Sequence, residues 1–129
     1  MLIIQGVDMI VYPVNEDAGL GSQISDHFGR SFGFMLVEPA SGTCRFIAPG
    51  TSDGSHHCAP LATLKTAGAT EVYCKHMSPF ALRRCFELGL LVYETTADRV
   101  DEALQEHRAG LRVDLPDEAL CAGHEHHDC

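Results

Sequence analysis

The sequence lacks the features of several large functional classes. It has no apolar run near the roughly 20 residues that a membrane-spanning helix needs, and its 9 Lys and Arg residues are outnumbered by 18 Asp and Glu residues. The formal net charge of −9 at pH 7 repels phosphate groups, so neither nucleic acids nor membranes are expected as partners. There is no Cys-x-x-Cys redox motif, no Gly-Lys phosphate-binding loop and no Gly-x-Ser-x-Gly nucleophile elbow. These absences argue against an enzyme.

The N-terminal residues also lack the pattern of a secretion signal. Residues 1–7 are apolar, but they have no Lys or Arg flank, Asp8 interrupts the run, and no small-residue cleavage site follows. We therefore expect a cytoplasmic protein. In that reducing compartment the six cysteines are ligands, nucleophiles or core residues rather than a disulfide framework.

The order of the apolar patterns predicts an α/β domain. β-rich runs come first, and after residue 55 runs with helical spacing alternate with short strands. Because strand, helix and strand follow each other over residues 71–93, we expect parallel pairing there. Strands are predicted at 9–14, 32–37, 44–48, 71–74 and 90–93, with 44–48 as the hairpin partner of 32–37. Helices are predicted from Pro60 to Gly68, from the cap Ser78 and first residue Pro79 to Gly89, and from a cap at Thr96 to Gly110.

Charge divides the chain into a body and a tail. Residues 114–129 hold five acidic side chains and no Lys or Arg: Asp114, Asp117, Glu118, Glu125 and Asp128. Beyond Pro116 no periodicity remains. We therefore expect one domain over residues 1–113, followed by a mobile acidic tail rich in Cys and His over residues 114–129.

Cysteine and histidine are concentrated in three short clusters. Of the six cysteines and eight histidines, the clusters leave out Cys44, Cys85, His27 and His107. The clusters consist of His56, His57 and Cys58; of Cys74 and His76; and of Cys121, His124, His126, His127 and Cys129. Thiolate and imidazole are ligands that zinc, copper, nickel and iron–sulfur clusters accept, so metal binding is the first functional hypothesis.

The first two clusters are predicted to lie near helix starts. In open α/β sheets, ligands gather at the carboxyl ends of strands, where helix N-termini offer unpaired N–H groups and a positive dipole. Cys74 is predicted to end a strand, and Cys58 to lie near a first turn, where the dipole lowers the pKa of a thiol. This placement favours an anionic metal–sulfur cluster over a bare cation. The alternative is that Cys74 is a buried strand residue and the histidines are loop residues without function.

The tail offers a different kind of site. Its spacing, Cys-x-x-His-x-His-His-x-Cys, matches no structural zinc pattern. Its roughly 15 residues could extend about 50 Å and cover a site on the same domain. We expect it to capture or deliver metal, with Zn, Ni or Cu as candidates. A metal-ion buffer or sensor that works through the tail is one alternative function, and an interaction module in which the Cys and His residues are incidental is another.

Residues 8–112 resemble the dinitrogenase iron–molybdenum cofactor biosynthesis family. The most specific match is the run from Ser25 to Arg30, Ser-Asp-His-Phe-Gly-Arg, which leads into Phe-Gly-Phe at residues 32–34. Further matches are the strand at 11–14, the helix over 58–69, and residues 89–93 followed by 100–104. The small members of this family include nitrogenase cofactor carriers and the molybdenum–copper orange protein of sulfate reducers. The resemblance implies an RNase H-like three-layer α/β fold, with a five-stranded mixed sheet flanked by helices and no nuclease activity.

The resemblance also implies a function. We expect a non-catalytic carrier or scaffold for an anionic metal–sulfur cluster or its precursor, of the Fe–S, Mo–Fe–S or Mo–Cu–S type. Its partners would be cluster donor and acceptor proteins, and the chain would be a monomer or weak homodimer. His27, which pattern alone would leave as a loop residue, becomes a candidate through the resemblance. The predicted cofactor-binding residues are His27, Arg30, His56, His57, Cys58, Cys74 and His76.

Overall fold

The computed structural model describes residues 8–49 and 60–120, with strands and helices in the order that the apolar patterns predict. The described elements are β1 (Ile10–Val14), β2 (Gly33–Val37), β3 (Cys44–Ile47), α1 (Leu61–Thr66), β4 (Glu71–Cys74), α2 (Pro79–Glu87), β5 (Leu91–Glu94), α3 (Val100–Arg108) and β6 (Val113–Asp114).

The strands form one mixed sheet in the order β3-β2-β1-β4-β5-β6. β1 pairs in parallel with β4, and β4 with β5, which confirms the parallel unit predicted over residues 71–93. β2 is antiparallel to both β1 and β3, which confirms the predicted hairpin. The described sheet has six strands rather than the five implied by the family resemblance. The additional strand arises because Val113 and Asp114 pair with Glu94 and Tyr93 along the edge of β5.

Helices cover both faces of the sheet. Successive residues of a strand point to opposite faces, so β1 divides its side chains between two apolar cores. Val11 belongs to the core beneath α1 and α2, whereas Ile10, Tyr12 and Val14 belong to the core beneath α3. All five residues of β1 are buried, because this central strand is covered on both sides. The α/β class is therefore confirmed, with the sheet as the middle of three layers.

Local sequence signals set the ends of α1 and α2. Ser78 accepts the N–H of Ala81 on its Oγ at 3.0 Å, and Pro79 occupies the first helical position, as predicted. Gly68 and Gly89 follow the helix ends with φ of +112° and +78°, a region that favours glycine. None of the described helices has the length and apolarity needed to cross a membrane.

The start of α3 differs from the prediction. The helix begins at Val100, not after Thr96, and Glu102 caps it by accepting the N–H groups of Asp98 and Arg99 on Oε1 at 3.2 and 3.3 Å. The prediction of a cap at Thr96 was wrong because a long-range contact holds the intervening segment extended. The carbonyl of Asp98 accepts the N–H of Ile24 at 2.8 Å.

The chain beyond residue 113 stays packed against the domain as far as the structure describes it. Residues Asp117–Ala119 form a short 3₁₀ turn, and Ala119 is buried. The N–H of Met77 donates to the carbonyl of Ala119 at 3.1 Å, and Leu120 forms a parallel β-bridge with Met77. The packed structure thus extends past the boundary expected at residue 113, and only residues 121–129 of the expected tail lie outside the described residues.

Candidate functional site

Four strands place their carboxyl ends along one edge of the sheet. β1, β4 and β5 are parallel, and β3 runs in the same direction because it is antiparallel to β2, which is antiparallel to β1. The 25–32 loop, the last part of the connection from β1 to β2, lies at this carboxyl edge, and the 75–78 turn connects β4 to α2 there. Open α/β sheets bind ligands outside the carboxyl ends of their strands. The carboxyl edge is therefore the candidate functional site.

Buried residues hold the 25–32 loop in position. Phe28 is fully buried, with its ring centroid 5.1 Å from that of Phe34 in the core beneath α1 and α2. The hydroxyl of Ser31 donates to the carbonyl of Phe28 at 3.2 Å. Ser25 donates its N–H to the carbonyl of Pro13 at 2.8 Å. His27, between these anchors, is exposed to solvent.

His76 lies against this loop. The backbone N–H of Phe28 donates to the carbonyl of His76 at 3.1 Å, which joins the loop to the 75–78 turn. The Nδ1 atom of His76 lies 3.1 Å from the carbonyl oxygen of Asp26. Because a carbonyl oxygen only accepts, Nδ1 carries the proton and donates it. In the neutral ring the lone pair of Nε2 is then available to a metal.

The imidazole rings of His27 and His76 form a pair. Their centroids are 5.7 Å apart, and their planes are inclined by 35°. Two imidazoles on one metal ion, with bonds of roughly 2.0–2.1 Å, would place their centroids about 5–6 Å apart. Histidine ligands usually donate their second N–H to a carbonyl or carboxylate, as His76 does to Asp26. The centroid distance of the pair therefore lies in the range for two imidazoles on one metal ion.

Other ligands would be needed to complete such a site. Among residues 8–49 and 60–120, no group of three or more His, Cys, Asp or Glu residues has the geometry to hold a metal ion. Cys74 does not join the pair at the surface. It is fully buried in the core beneath α1 and α2, on the same face of β4 as Val72, whereas His76 is exposed at the edge. A role for its thiol as a ligand would require access through that core.

Charges at the carboxyl edge are partly balanced. The Nζ atom of Lys75 lies 3.8 Å from Oδ1 of Asp26 and 3.6 Å from Oδ1 of Asp98. Lys75 thus shares its charge between two carboxylates. Arg30, one of the predicted cofactor-binding residues, is exposed in the 25–32 loop. The contribution of Asp98 is visible only in the tertiary structure, because no local pattern links it to Lys75.

The remaining predicted ligands lie outside the described residues. These are His56, His57 and Cys58 in the connection from β3 to α1, and Cys121, His124, His126, His127 and Cys129 at the C-terminus. The described residues that come directly before these two segments lie at or near the carboxyl edge. Pro49 follows β3 at the carboxyl edge, and Leu120 is bridged to Met77, the neighbour of His76.

A second cluster of polar groups lies beneath α3, where sequence patterns did not reveal it. Nδ1 of the buried His107 is 2.9 Å from the hydroxyl of Tyr73 and 3.7 Å from Oε1 of the buried Glu71. Nη2 of Arg112 is 3.6 Å from Oε2 of Glu71. Burial lowers the pKa of His107, although the charge of Glu71 acts in the opposite direction. These groups lie in a packed core, so we assign them a structural role.

The described cysteines are expected to differ in reactivity. Cys74 and Cys85 are fully buried, and burial raises the pKa of the Cys85 thiol to about 12. Cys44 is only partly buried. In the folded protein, iodoacetamide should therefore modify Cys44 well before Cys74 or Cys85, because only an accessible thiolate reacts. Peptide mass spectrometry with and without denaturant measures this order, and equally rapid labelling of Cys74 and Cys44 would contradict the buried position of Cys74.

Solved structures share this fold. The apo form of the orange protein from Desulfovibrio gigas is 24% identical over 81% of this chain and 89% of that chain, with a TM-score of 0.71. A Thermotoga protein of the DUF35 family is 22% identical over 80% of this chain and 89% of that chain, with a TM-score of 0.67. At these identities the likeness establishes the fold alone. A search of curated proteins finds no match.

Most of the chain matches one protein-family model. The family model described as dinitrogenase iron-molybdenum cofactor matches residues 9–110. This range contains the 25–32 loop, the 75–78 turn and the paired histidines at the carboxyl edge, and it covers more than half of the chain. The chain therefore belongs to the dinitrogenase iron–molybdenum cofactor family.

Proposed function

We propose that the protein is a non-catalytic cytoplasmic carrier or scaffold for an anionic metal–sulfur cluster or its precursor, of the Fe–S, Mo–Fe–S or Mo–Cu–S type. Family membership supports a role connected with such a cofactor. The observation that carries the proposal is the pair of exposed imidazoles, His27 and His76, at the carboxyl edge of the sheet. The RNase H-like assignment of the fold is part of the same proposal.

In this proposal the cluster is cargo, and the described residues form an open site suited to exchange. His27 and His76 would bind metal atoms of the cluster through their imidazoles. Arg30 and the N-terminal end of α2, which begins at Pro79, would provide positive potential for an anion. His56, His57 and Cys58 are proposed as additional ligands, because β3 ends at the carboxyl edge and the connection that contains these residues follows it. Cys74 would contribute only if its core opened.

Anaerobic reconstitution of the full-length chain tests the proposal. We expect the protein to take up metal together with acid-labile sulfide, with charge-transfer absorption of a metal–sulfur cluster. Replacing both His27 and His76 with alanine should reduce bound metal and sulfide by about tenfold or more, because removal of a residue that merely orients a ligand already costs about 10–100-fold in metal affinity. The matched control is Gln105→Ala, at an exposed position of α3 on the other face. Metal uptake without any sulfide would refute the cluster carrier.

One observation favours a second candidate, a metal-ion buffer or sensor for Zn, Ni or Cu. The described part of the carboxyl edge offers two imidazoles, whereas the last nine residues contain five Cys and His residues. Deleting residues 121–129 separates the two functions, because the deletion leaves β6 and the docked Ala119 in place. A buffer would lose all binding of Zn and Ni, whereas a cluster carrier would retain cluster uptake on the domain.

The proposed partners are a protein that donates the cluster and a protein that accepts it. The proposed state of the chain is a monomer or weak homodimer, since a carrier must present its site to both partners in turn. The acidic surface disfavours nucleic acid and anionic membranes.

A further inference from the structure

We propose that the protein forms a two-fold symmetric homodimer through the exposed face of α2, with α2 of one copy antiparallel to α2 of the other. The proposed function admits a monomer or a weak homodimer, so the choice of the dimer and its surface go beyond it. The dimer does not depend on the cargo, because the exposed face of α2 belongs to a helical layer and not to the carboxyl edge with His27 and His76.

The exposed face of α2 carries two large apolar side chains. Phe86 is 83% exposed and Phe80 is 71% exposed. Ala81 and Cys85 are the buried residues of this helix and point toward the core. Because successive helical residues are rotated by about 100°, Phe80 and Phe86 lie on either side of the outward direction. Exposed apolar patches on soluble proteins mark interaction sites, so this face favours a docking surface.

A groove of about 500 Å³ runs along the same helix. Pro79, Leu82 and Phe86 line it from α2, and Leu90 and Val92 line it from the neighbouring strand segment. Sites for drug-sized ligands measure about 300–1,000 Å³, so the groove can hold an aromatic side chain. Phe86 lies at the rim of the groove and is positioned to enter the same groove of a second copy.

The charges of α2 complement those of a second copy in the antiparallel orientation. Arg83 and Glu87 are both exposed and lie about one helical turn apart. In an antiparallel pair each Arg83 faces Glu87 of the second copy, whereas in a parallel pair arginine would face arginine. Among the described residues Arg83 forms no ion pair, and Oε1 of Glu87 lies 3.4 Å from Nη1 of Arg84 at the surface. The charges therefore favour the antiparallel dimer.

The antiparallel orientation also brings Phe86 to the groove of the second copy. When Arg83 faces Glu87, residue 86 lies at the level of residues 82–84 of the other helix and on the side of the groove. Packed helices have axes about 8–10 Å apart, which is close enough for the Phe86 ring to contact Leu82 of the second copy. The two-fold axis repeats this contact, so each copy supplies one ring and one groove.

The apolar area suits a weak but specific dimer. Phenylalanine side chains bury about 150–250 Å² each, so Phe80 and Phe86 of two copies contribute at most about 600–1,000 Å². Specific interfaces bury about 1,200–2,000 Å² in total, and the groove walls that the rings cover supply the remainder.

Sedimentation equilibrium of the full-length protein tests the dimer, with reductant and chelator present to exclude disulfide and metal bridges. At an ionic strength of about 0.15 M the Debye length is about 8 Å, which screens the repulsion between two acidic chains. We expect the average mass to rise with concentration from that of one chain toward that of two. Phe86→Ala should raise the dissociation constant about 30-fold or more, as for loss of an aromatic anchor. Phe32→Ala, which truncates an exposed ring on the 25–32 loop, is the matched control and should leave the constant unchanged.

Charge reversal tests the orientation. Arg83→Glu and Glu87→Arg should each raise the dissociation constant about tenfold or more, because like charges then face each other at two places in the dimer. An equimolar mixture of the two variants should restore the dimer, since every facing pair is then of opposite charge. Far-UV circular dichroism would verify that each variant is folded.

Five results would overturn the dimer. A chain that stays monomeric at all concentrations would mean that a different molecule covers α2. A dissociation constant unchanged by Phe86→Ala would place the interface elsewhere, and equal weakening by Phe86→Ala and Phe32→Ala would indicate unspecific apolar association. A mixture of the charge variants that stays monomeric would exclude the antiparallel pairing. A monomeric protein that takes up a cluster on anaerobic reconstitution would refute the dimer and leave the proposed function standing.

Discussion

Phe28→Ala is expected to lower the free energy of unfolding by about 3–5 kcal/mol, the range for truncating a buried phenylalanine. The Phe28 ring is 0% exposed and packs against Phe34 in the core beneath α1 and α2. The truncation removes apolar burial and leaves a cavity that the 25–32 loop must either line or collapse into. Urea denaturation followed by circular dichroism measures the loss as a lower midpoint at an unchanged slope.

Phe32→Ala is the matched control, because it removes an aromatic ring from the same loop. Phe32 is 57% exposed, and its ring contacts Phe46 at a centroid distance of 5.6 Å. We expect a loss of only about 0.5–1 kcal/mol, in line with a surface aromatic pair. Equal losses in the two variants would show that Phe28 does not anchor the loop. Phe28→Ala should also weaken metal binding, because loss of the buried ring would loosen the loop that holds His27 beside His76.

Arg112→Ala is expected to lower the free energy of unfolding by about 2–3 kcal/mol at neutral pH. The Glu71 side chain is only 6% exposed, and Nη2 of Arg112 lies 3.6 Å from its Oε2. Removing one partner of a buried ion pair costs about 3–5 kcal/mol. We expect a smaller loss because the side chain of Arg112 is 36% exposed and solvent screens part of the interaction.

The double variant Glu71→Gln/Arg112→Ala separates charge from packing. If the cost arises from a buried carboxylate left without its partner, the neutral amide should recover a substantial part of the stability lost in Arg112→Ala. Arg108→Ala is a suitable control on an exposed arginine near the end of α3, since its guanidinium donates to the carbonyl of Pro39 rather than to a buried acid. A double variant less stable than Arg112→Ala would argue against this explanation.

The contacts among Glu71, His107 and Arg112 also determine how the stability depends on pH. Burial lowers the pKa of His107 below its ordinary value of 6.5, and the charge of Arg112 lowers it further. Between the lowered folded pKa and about pH 6.5, the unfolded chain therefore binds a proton at His107 that the folded chain does not. The contribution of His107 to stability is full above pH 6.5 and is lost as the pH falls through the folded pKa. In Arg112→Ala the pKa of His107 should rise, so the destabilisation should become smaller as the pH is lowered.

The strand and helix pattern was largely predictable because its signals are local. Ser78 and Pro79 start α2, and Gly68 and Gly89 follow α1 and α2, each within a few residues of the helix it delimits. Where a distant contact intervenes, local reasoning fails. Thr96 resembles a helix cap, but the bond from the N–H of Ile24 to the carbonyl of Asp98 keeps that stretch extended, and Glu102 caps the helix instead.

The types of residue in the candidate site were predictable from the sequence, but which of these residues lie close together was not. Cys74 and His76 are separated by one residue, and on that basis both were expected to serve one site. Strand alternation instead turns Cys74 into the core together with Val72, while His76 leaves the end of β4 and is exposed. His27 gained its candidate role only from the family resemblance, since a single loop histidine has no informative local pattern.

The sequence by itself determined the α/β class, the family and the concentration of Cys and His residues in three clusters, because these depend on composition and on neighbours along the chain. The tertiary structure decided which ligands meet. The order of β1 and β4 in the sheet brings Asp26 to His76, 50 residues away in the chain, and sets the two imidazoles 5.7 Å apart. The tertiary structure also places Leu120 beside Met77. All three contacts arise from packing between distant segments, which no short stretch of sequence encodes.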